Sequence, residues 1–338
     1  MKKIVIVTDA WHPQINGVVT TLGKTITCLE KFGYCVETIT PQLFRSFPCP
    51  TYPEISLSLA GTKRLREQLL SFKPHCVHIA TEGPLGWAAR SICRSSGFAF
   101  STSYHTRFPE YVRMRWPVPL SLSYRVLRCF HNAAAKTMVA TSKLKAELED
   151  RGFSNMVLWS RGVDLDLFKP EKKRKDGTAD PVFLYVGRVA IEKNITAFLE
   201  LDLPGTKMVV GDGPARHQLA DNYPAVTFTG YKKGAELAAL YAAADVLVFP
   251  SLTDTFGVVL LEAMASGVPV AAYPVTGPLE TVVNGENGYL DNDLRSAAIR
   301  ALGVPGESCR KSAMRYTWEA CSKQFLNNLS FNDAEFSA

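Results

Sequence analysis

Residues 246–272 read V-L-V-F-P-S-L-T-D-T-F-G-V-V-L-L-E-A-M-A-S-G-V-P-V-A-A. The short β-branched run 246–249 reads as a strand, 255–265 as a helix and 268–272 as the next strand. Strand, helix, strand at this spacing implies parallel strands joined by right-handed crossovers. The alternation continues upstream, with strands at 182–186, 207–210 and 226–229 separated by helices. It appears again in the first half, with strands at 4–8, 35–40, 76–80, 99–103, 137–140 and 156–159. Helical stretches at 17–32, 59–72, 85–95, 120–135 and 142–150 lie between them. Residues 168–181, F-K-P-E-K-K-R-K-D-G-T-A-D-P, carry a charge run, Pro and Gly and almost no apolar content, as a linker does. The expected class is α/β: two doubly wound, Rossmann-like parallel-sheet domains, 1–167 and 182–312. A C-terminal helix within 313–330 is expected to pack back across them.

Length and composition agree. The 338 residues suffice for about two domains, and 46% hydrophobic with 21% charged is ordinary for a globular chain. No apolar run reaches the roughly 18 residues of a membrane span; the longest candidate, 238–250, is broken by Asp245. The opening M-K-K-I-V-I-V-T-D lacks a cleavage site and reads as a strand rather than a signal peptide. Eight scattered cysteines without a C-x-x-C pair suit a reducing compartment, so a cytoplasmic location is expected. Charge is uneven. Residues 1–170 hold 22 Lys and Arg against 12 Asp and Glu, and residues 171–338 hold 16 against 20. The first half therefore favours an anionic partner.

Ligands of doubly wound sheets bind beyond the carboxyl ends of the strands. After the first strand comes T-D-A-W-H-P-Q-I-N-G-V, without G-x-G-x-x-G; Asn16 and Gly17 open a helix whose N–H groups could meet an anion. The later strands say more. Strand 182–186 is followed by G-R-V-A-I-E-K-N, which puts Gly187, Arg188 and Lys193 in a rim loop. Strand 207–210 is followed by G-D-G-P, where Gly211 permits close backbone approach. After 246–249, Asp254 and Glu262 stand eight residues apart around Thr255, Phe256, Gly257 and Val258, a helix N-terminus. Cations, N–H donors and two carboxylates on one rim suit a nucleoside diphosphate joined to a sugar. Asp254 also reads as an N-cap, a compatible role. Asp164 and Asp166 spell D-x-D but read as a turn, and no metal site is expected.

These motifs resemble the retaining nucleotide-sugar glycosyltransferases of family 4. Their E-x7-E followed by A-x-A-x-G-x-P-V is here D-x7-E, Asp254 to Glu262, then A-M-A-S-G-V-P-V. In the first half, T-E-G-P-L-G, S-Y-H-T-R-F-P-E-Y and W-S-R-G-V-D look most like the sulfoquinovosyl-diacylglycerol synthases and the glycolipid mannosyl- and glucuronosyltransferases. The resemblance implies the GT-B architecture, two facing domains with a cleft between them, and a metal-independent transfer without a cofactor. It assigns the diphosphate to Arg188 and Lys193, ribose to Glu262 and donor hydroxyls to Asp254 with the N–H groups of Phe256 to Val258. Gly17 would let a loop close on the diphosphate, and His105 would approach the donor sugar. Asp254 departs from the family's Glu by one methylene. With no nucleophile for the opposite sugar face, the expected route is front-side departure, the diphosphate oxygen taking the acceptor proton.

The acceptor is expected on the first domain. Between Arg90 and Arg128 lie seven arginines and one acidic residue, Glu110, interleaved with Tyr111 and Trp116. Arg113, Arg115 and Trp116, with Lys63, Arg64 and Arg66 on a neighbouring helix, suit either an anionic membrane surface or a solvated basic face. Glu82, in T-E-G-P, either faces the acceptor or organises a turn. A lipid hydroxyl is the expected acceptor, on the inner face of the membrane. The alternatives are a soluble or polysaccharide acceptor, an epimerase, or a protein that binds nucleotide sugars without transfer. Nucleic acid is not expected, since no recognition motif accompanies the charge.

Overall fold

The computed structural model describes residues 2–14, 16–49, 52–58, 61–171 and 180–337. They form two compact units, Met1–Arg161 with Trp318–Ala338, and Gly162–Thr317. The chain thus passes between units at 161–162 and again at 317–318, outside the expected linker. Residues 172–179 of that linker, and 59–60 of the helix expected at 59–72, lie outside the described residues.

The first unit contains strands β1 (Lys3–Val7), β2 (Cys35–Ile39), β3 (Ser46–Cys49), β4 (Tyr52–Ser58), β5 (Cys76–Ile79), β6 (Phe100–Tyr104), β7 (Lys136–Val139) and β8 (Met156–Leu158). Its helices are α1 (Gly17–Lys31), α2 (Thr62–Phe72), α3 (Pro84–Ser95), α4 (Phe108–Arg115), α5 (Leu120–His131) and α6 (Ser142–Asp150). Six strands form a parallel sheet in the order β2-β1-β5-β6-β7-β8, while β3 and β4 pair as a separate antiparallel hairpin. Helices cover both faces, so Ile4 to Val7 in β1 are all buried. The two-residue alternation of the strand sorts them: Val5 and Val7 pack with Leu65, Val77 and Leu85, whereas Ile4 and Ile6 pack with Leu22, Leu29 and Trp159.

The second unit contains β9 (Val182–Val186), β10 (Thr206–Val210), β11 (Thr227–Gly230), β12 (Val246–Phe249), β13 (Val270–Ala272) and β14 (Gly288–Leu290). Its helices are α7 (Ile195–Leu199), α8 (Arg216–Asn222), α9 (Gly234–Ala243), α10 (Val258–Ala265), α11 (Thr276–Thr281), α12 (Leu294–Ala301) and α13 (Gly306–Ala313). The sheet order is β11-β10-β9-β12-β13-β14, again parallel throughout. Phe183, Tyr185, Val209, Val246 and Val248 anchor its core. The last helix, α14 (Trp318–Asn328), belongs to the first unit, where Cys321, Phe325 and Leu329 join the core beside Leu22 and Leu29.

Strand order reverses between β1 and β5 in one sheet and between β9 and β12 in the other. At such a point the loops leaving two adjacent strands diverge to opposite faces and open a crevice at the carboxyl edge.

Candidate functional site

In the second unit the loops following β9 and β12 flank that point. Lys193 Nζ and Asp254 Oδ1 join them 2.5 Å apart. Asn194, with φ +52°, donates from its side chain to Pro250 O (3.1 Å), and Thr253 Oγ1 donates to Glu192 O (3.2 Å). Arg188 Nε lies 3.9 Å from the buried carboxylate of Glu192, and the Arg188 carbonyl accepts from Tyr185 Oη at 2.7 Å. Asp254 Oδ2 is buried and has no hydrogen-bond partner among the described residues. A buried oxygen left this way is costly inside a protein and suits an incoming hydroxyl.

The glycines beside these residues answer to the fold. A Cβ on Gly211 would sit 1.9 Å from Gly187 O, and one on Gly213 2.4 Å from Val189 O. Gly187 N donates to Val210 O (3.0 Å) and Gly211 N to Gly230 O (2.9 Å). The close backbone approach expected of G-D-G-P is therefore loop against loop, and its effect is to press the Arg188 loop onto the sheet edge.

The helix expected at 255–265 begins at Val258. Gly257, with φ +87°, occupies the cap position, so Asp254 is not the cap; it lies in the preceding loop, committed to Lys193. Phe256 is buried against Tyr316, and a Cβ on Gly277 would meet Phe256 O at 2.4 Å. Thr255 and Val258 are half-buried. Glu262 stands in the second turn of α10, where its Oε2 accepts from Tyr241 Oη of α9 at 2.9 Å. Burial pushes the Glu262 carboxyl up to about 7, although the Tyr241 bond pulls the other way. A carboxyl so displaced beside a sheet crevice is a candidate functional position.

The first unit holds the other expected residues. Asn16 caps α1, its Oδ1 accepting from Val18 N and Val19 N at 3.0 Å each, so two N–H groups expected to meet an anion are already engaged. Gly17 has open space where a Cβ would stand, so packing imposes no glycine there. His105 is buried with both ring nitrogens bonded, Nε2 to Ser103 Oγ (2.9 Å) and Nδ1 to Arg161 Nη2 (3.2 Å). Arg161 can only donate, so Nδ1 carries no proton. Burial, then the Arg161 charge, holds this imidazole well below its usual pKa, in the neutral form. Glu82 Oε1 lies 3.0 Å from His131 Nε2 in a buried pair, organising the interior rather than a surface. Asp164 Oδ1 accepts from Leu167 N at 3.1 Å, the turn expected of D-x-D.

The arginine-rich segment divides. Arg90 is buried and donates to Phe130 O and Cys129 O at the end of α5, Arg107 pairs with Glu147 and Glu110, and Arg128 donates to Arg151 O. Arg113, Arg125 and half-buried Arg115 remain at the surface of α4 and α5, beside exposed Phe108, Met114, Trp116, Leu122 and Val126. Lys63 and Arg64 are exposed on α2; half-buried Arg66 donates to Ser95 Oγ.

One residue escaped sequence reading. Asp9, buried at the end of β1, accepts from Thr81 Oγ1 (2.9 Å), Leu85 N (3.0 Å) and Gly86 N (3.3 Å), seating its carboxylate on the N-terminus of α3. Its position just after a strand was visible; its partner 76 residues away was not.

Two family models match the chain: "Glycosyltransferase Family 4" over residues 15–167 and "Glycosyl transferases group 1" over residues 180–302. The chain belongs to the family 4, group 1 glycosyltransferases, with two Rossmann-like domains in the GT-B manner. The sulfoquinovosyl transferase SQD2 of Arabidopsis thaliana is 31% identical over 315 residues, 84% of this chain but 62% of that protein. The alpha-monoglucosyldiacylglycerol synthase of Streptococcus pneumoniae is 26% identical over 352 residues, 89% of this chain and 78% of that protein. Among solved structures, Anabaena HepE in complex with UDP and glucose superposes with TM-score 0.72 at 18% identity, covering 97% of this chain and 99% of HepE. At that identity the likeness concerns the fold.

Proposed function

We propose that this protein transfers a sugar, with retention, from a UDP- or GDP-sugar to a hydroxyl of a membrane lipid. Arg188 and Lys193 hold the diphosphate and stabilise it as it leaves, and Glu262 takes the ribose hydroxyls. Asp254 holds donor-sugar hydroxyls with the N–H groups of Phe256 to Val258. The new glycosidic bond forms as the bond from the donor sugar to the diphosphate oxygen breaks, that oxygen takes the acceptor proton, and Arg188 and Lys193 neutralise its charge in place of a metal. His105 is left out of the donor contacts because each ring nitrogen already has a partner.

The observation that carries the reading is the pairing at the β9–β12 reversal: Lys193 tied to Asp254, whose second oxygen is buried and without a hydrogen-bond partner among the described residues. A sugar nucleotide suits both features, its phosphates the two cations and a sugar hydroxyl the buried Oδ2. HepE, solved with UDP and glucose, supports the donor class. The diacylglycerol synthase supports a lipid acceptor. So does the surface of α4 and α5, where exposed Trp116, Leu122 and Val126 stand among Arg113, Arg115 and Arg125. No helix among the described residues is long and apolar enough to cross a membrane.

The test incubates UDP- and GDP-sugars with a lipid extract and identifies products by mass spectrometry. Arg188→Ala and Lys193→Ala should each lower turnover about 10²–10³-fold, as removal of a transition-state donor does. If both variants turn over like the wild type, the diphosphate assignment is wrong. A product found only on soluble glycans would replace the lipid acceptor.

A further inference from the structure

The assignment of ribose to Glu262 leaves open what aims its carboxylate. The side chain projects from the second turn of α10, where a glutamate has three rotatable bonds and loses rotamer freedom only if something holds it. Tyr241 is that constraint. It is fully buried on α9, its ring edge-on to Phe168 at 5.6 Å between centroids, and its hydroxyl donates to Glu262 Oε2 at 2.9 Å. A phenol buried this deeply needs a partner, and packing alone would be served equally by phenylalanine. Oε1 makes no hydrogen bond among the described residues. Tyr231 is 44% exposed and makes no hydrogen bond to this carboxylate.

We propose that Tyr241 is a positioning residue for nucleotide recognition: it holds Oε2 of Glu262 so that Oε1 alone is presented to the ribose hydroxyls. This rests on the donor-site reading above. It makes ribose selectivity depend on an oxygen atom that itself never touches the ligand.

The experiment compares wild type, Tyr241→Phe and Glu262→Gln by calorimetric titration. UDP and GDP are titrated first, and whichever binds more tightly is then compared with its 2′,3′-dideoxy counterpart. Tyr241→Phe deletes one oxygen and keeps the ring against Phe168; melting temperatures verify that it folds. The wild type should prefer the nucleotide with ribose hydroxyls. Tyr241→Phe should lose about tenfold of that preference, the scale of a hydrogen bond to a charged group, and bind the dideoxy nucleotide as the wild type does. In turnover its donor KM should rise while kcat stays within about twofold. A merely structural tyrosine would weaken both nucleotides alike.

Glu262→Gln gives the second reading, with the charge removed and the volume kept. Tyr241 would hold the amide oxygen and turn the NH2 toward the ribose, so the preference should collapse in this variant as well. If Tyr241→Phe keeps the full preference while Glu262→Gln loses it, Tyr241 does not position the carboxylate and the donor site stands. If the wild type shows no preference, or Glu262→Gln retains it, the ribose assignment itself falls.

Discussion

Glu262 should weaken the fold that holds it. Its carboxyl is displaced from an ordinary 4.5 to about 7, chiefly by burial. In the unfolded chain the group ionises near 4.5, so between that pH and about 7 the folded protein keeps a proton that the unfolded chain has lost. Stability attributable to this group is therefore complete below pH 4.5 and disappears as pH rises through 7. The displacement is worth about 3 kcal/mol, a large share of what holds a domain of this size together. Glu262→Gln does not titrate. Relative to the wild type it should gain about 3 kcal/mol between pH 5 and pH 8, at the cost of nucleotide binding. Tryptophan emission is the wrong reporter, because Trp11, Trp87, Trp116, Trp159 and Trp318 all lie in the first unit. Hydrogen exchange of peptides from residues 246–272, followed by mass spectrometry, reads α10 directly. Parallel pH profiles for the two proteins would refute the reasoning, because they would mean that the carboxyl titrates alike folded and unfolded.

Three further perturbations probe other parts of the structure. Asp9→Ala leaves Leu85 N–H and Gly86 N–H without their acceptor and should cost about 2–3 kcal/mol, measured by urea denaturation of the first unit through its tryptophans. Gly211→Ala puts a methyl 1.9 Å from Gly187 O at φ +144°; a cost of about 2–4 kcal/mol and displacement of the Arg188 loop should appear as faster exchange of residues 182–194. Phe336, buried against Phe98, ties the last described residues to the first unit; Phe336→Ala should cost about 3–5 kcal/mol in the same denaturation assay.

Strand positions were legible because buried parallel strands are short apolar runs, and 182–186 and 246–249 end where the sequence pattern puts them. The hairpin β3–β4 was not, since Pro48 and Pro53 interrupt any strand pattern. β14 has only three residues, too few for an alternation to show. The start of α10 was misread because Asp254 has the chemistry of a cap; what decided the boundary is the positive φ of Gly257, a conformational fact. Candidate site residues were legible as chemistry at strand ends but not as pairs. Lys193 meets Asp254 across 61 residues, and Tyr241 meets Glu262 across 21, on elements whose adjacency only the sheet order fixes. The passage of the chain at 161–162 and 317–318 carries no compositional mark, because α14 joins the first unit through Cys321 and Phe325, with Leu329 just beyond it, and these would suit any core.

That passage bears on how the molecule is made. The second unit is one uninterrupted stretch, Gly162–Thr317, and can fold as soon as it has left the ribosome. The first unit cannot, since Leu22, Leu29 and Trp159 are sealed by Phe325, synthesised some three hundred residues after Leu22. On the growing chain the earlier-made half therefore keeps that hydrophobic face open until α14 has been synthesised, after the whole of the second unit.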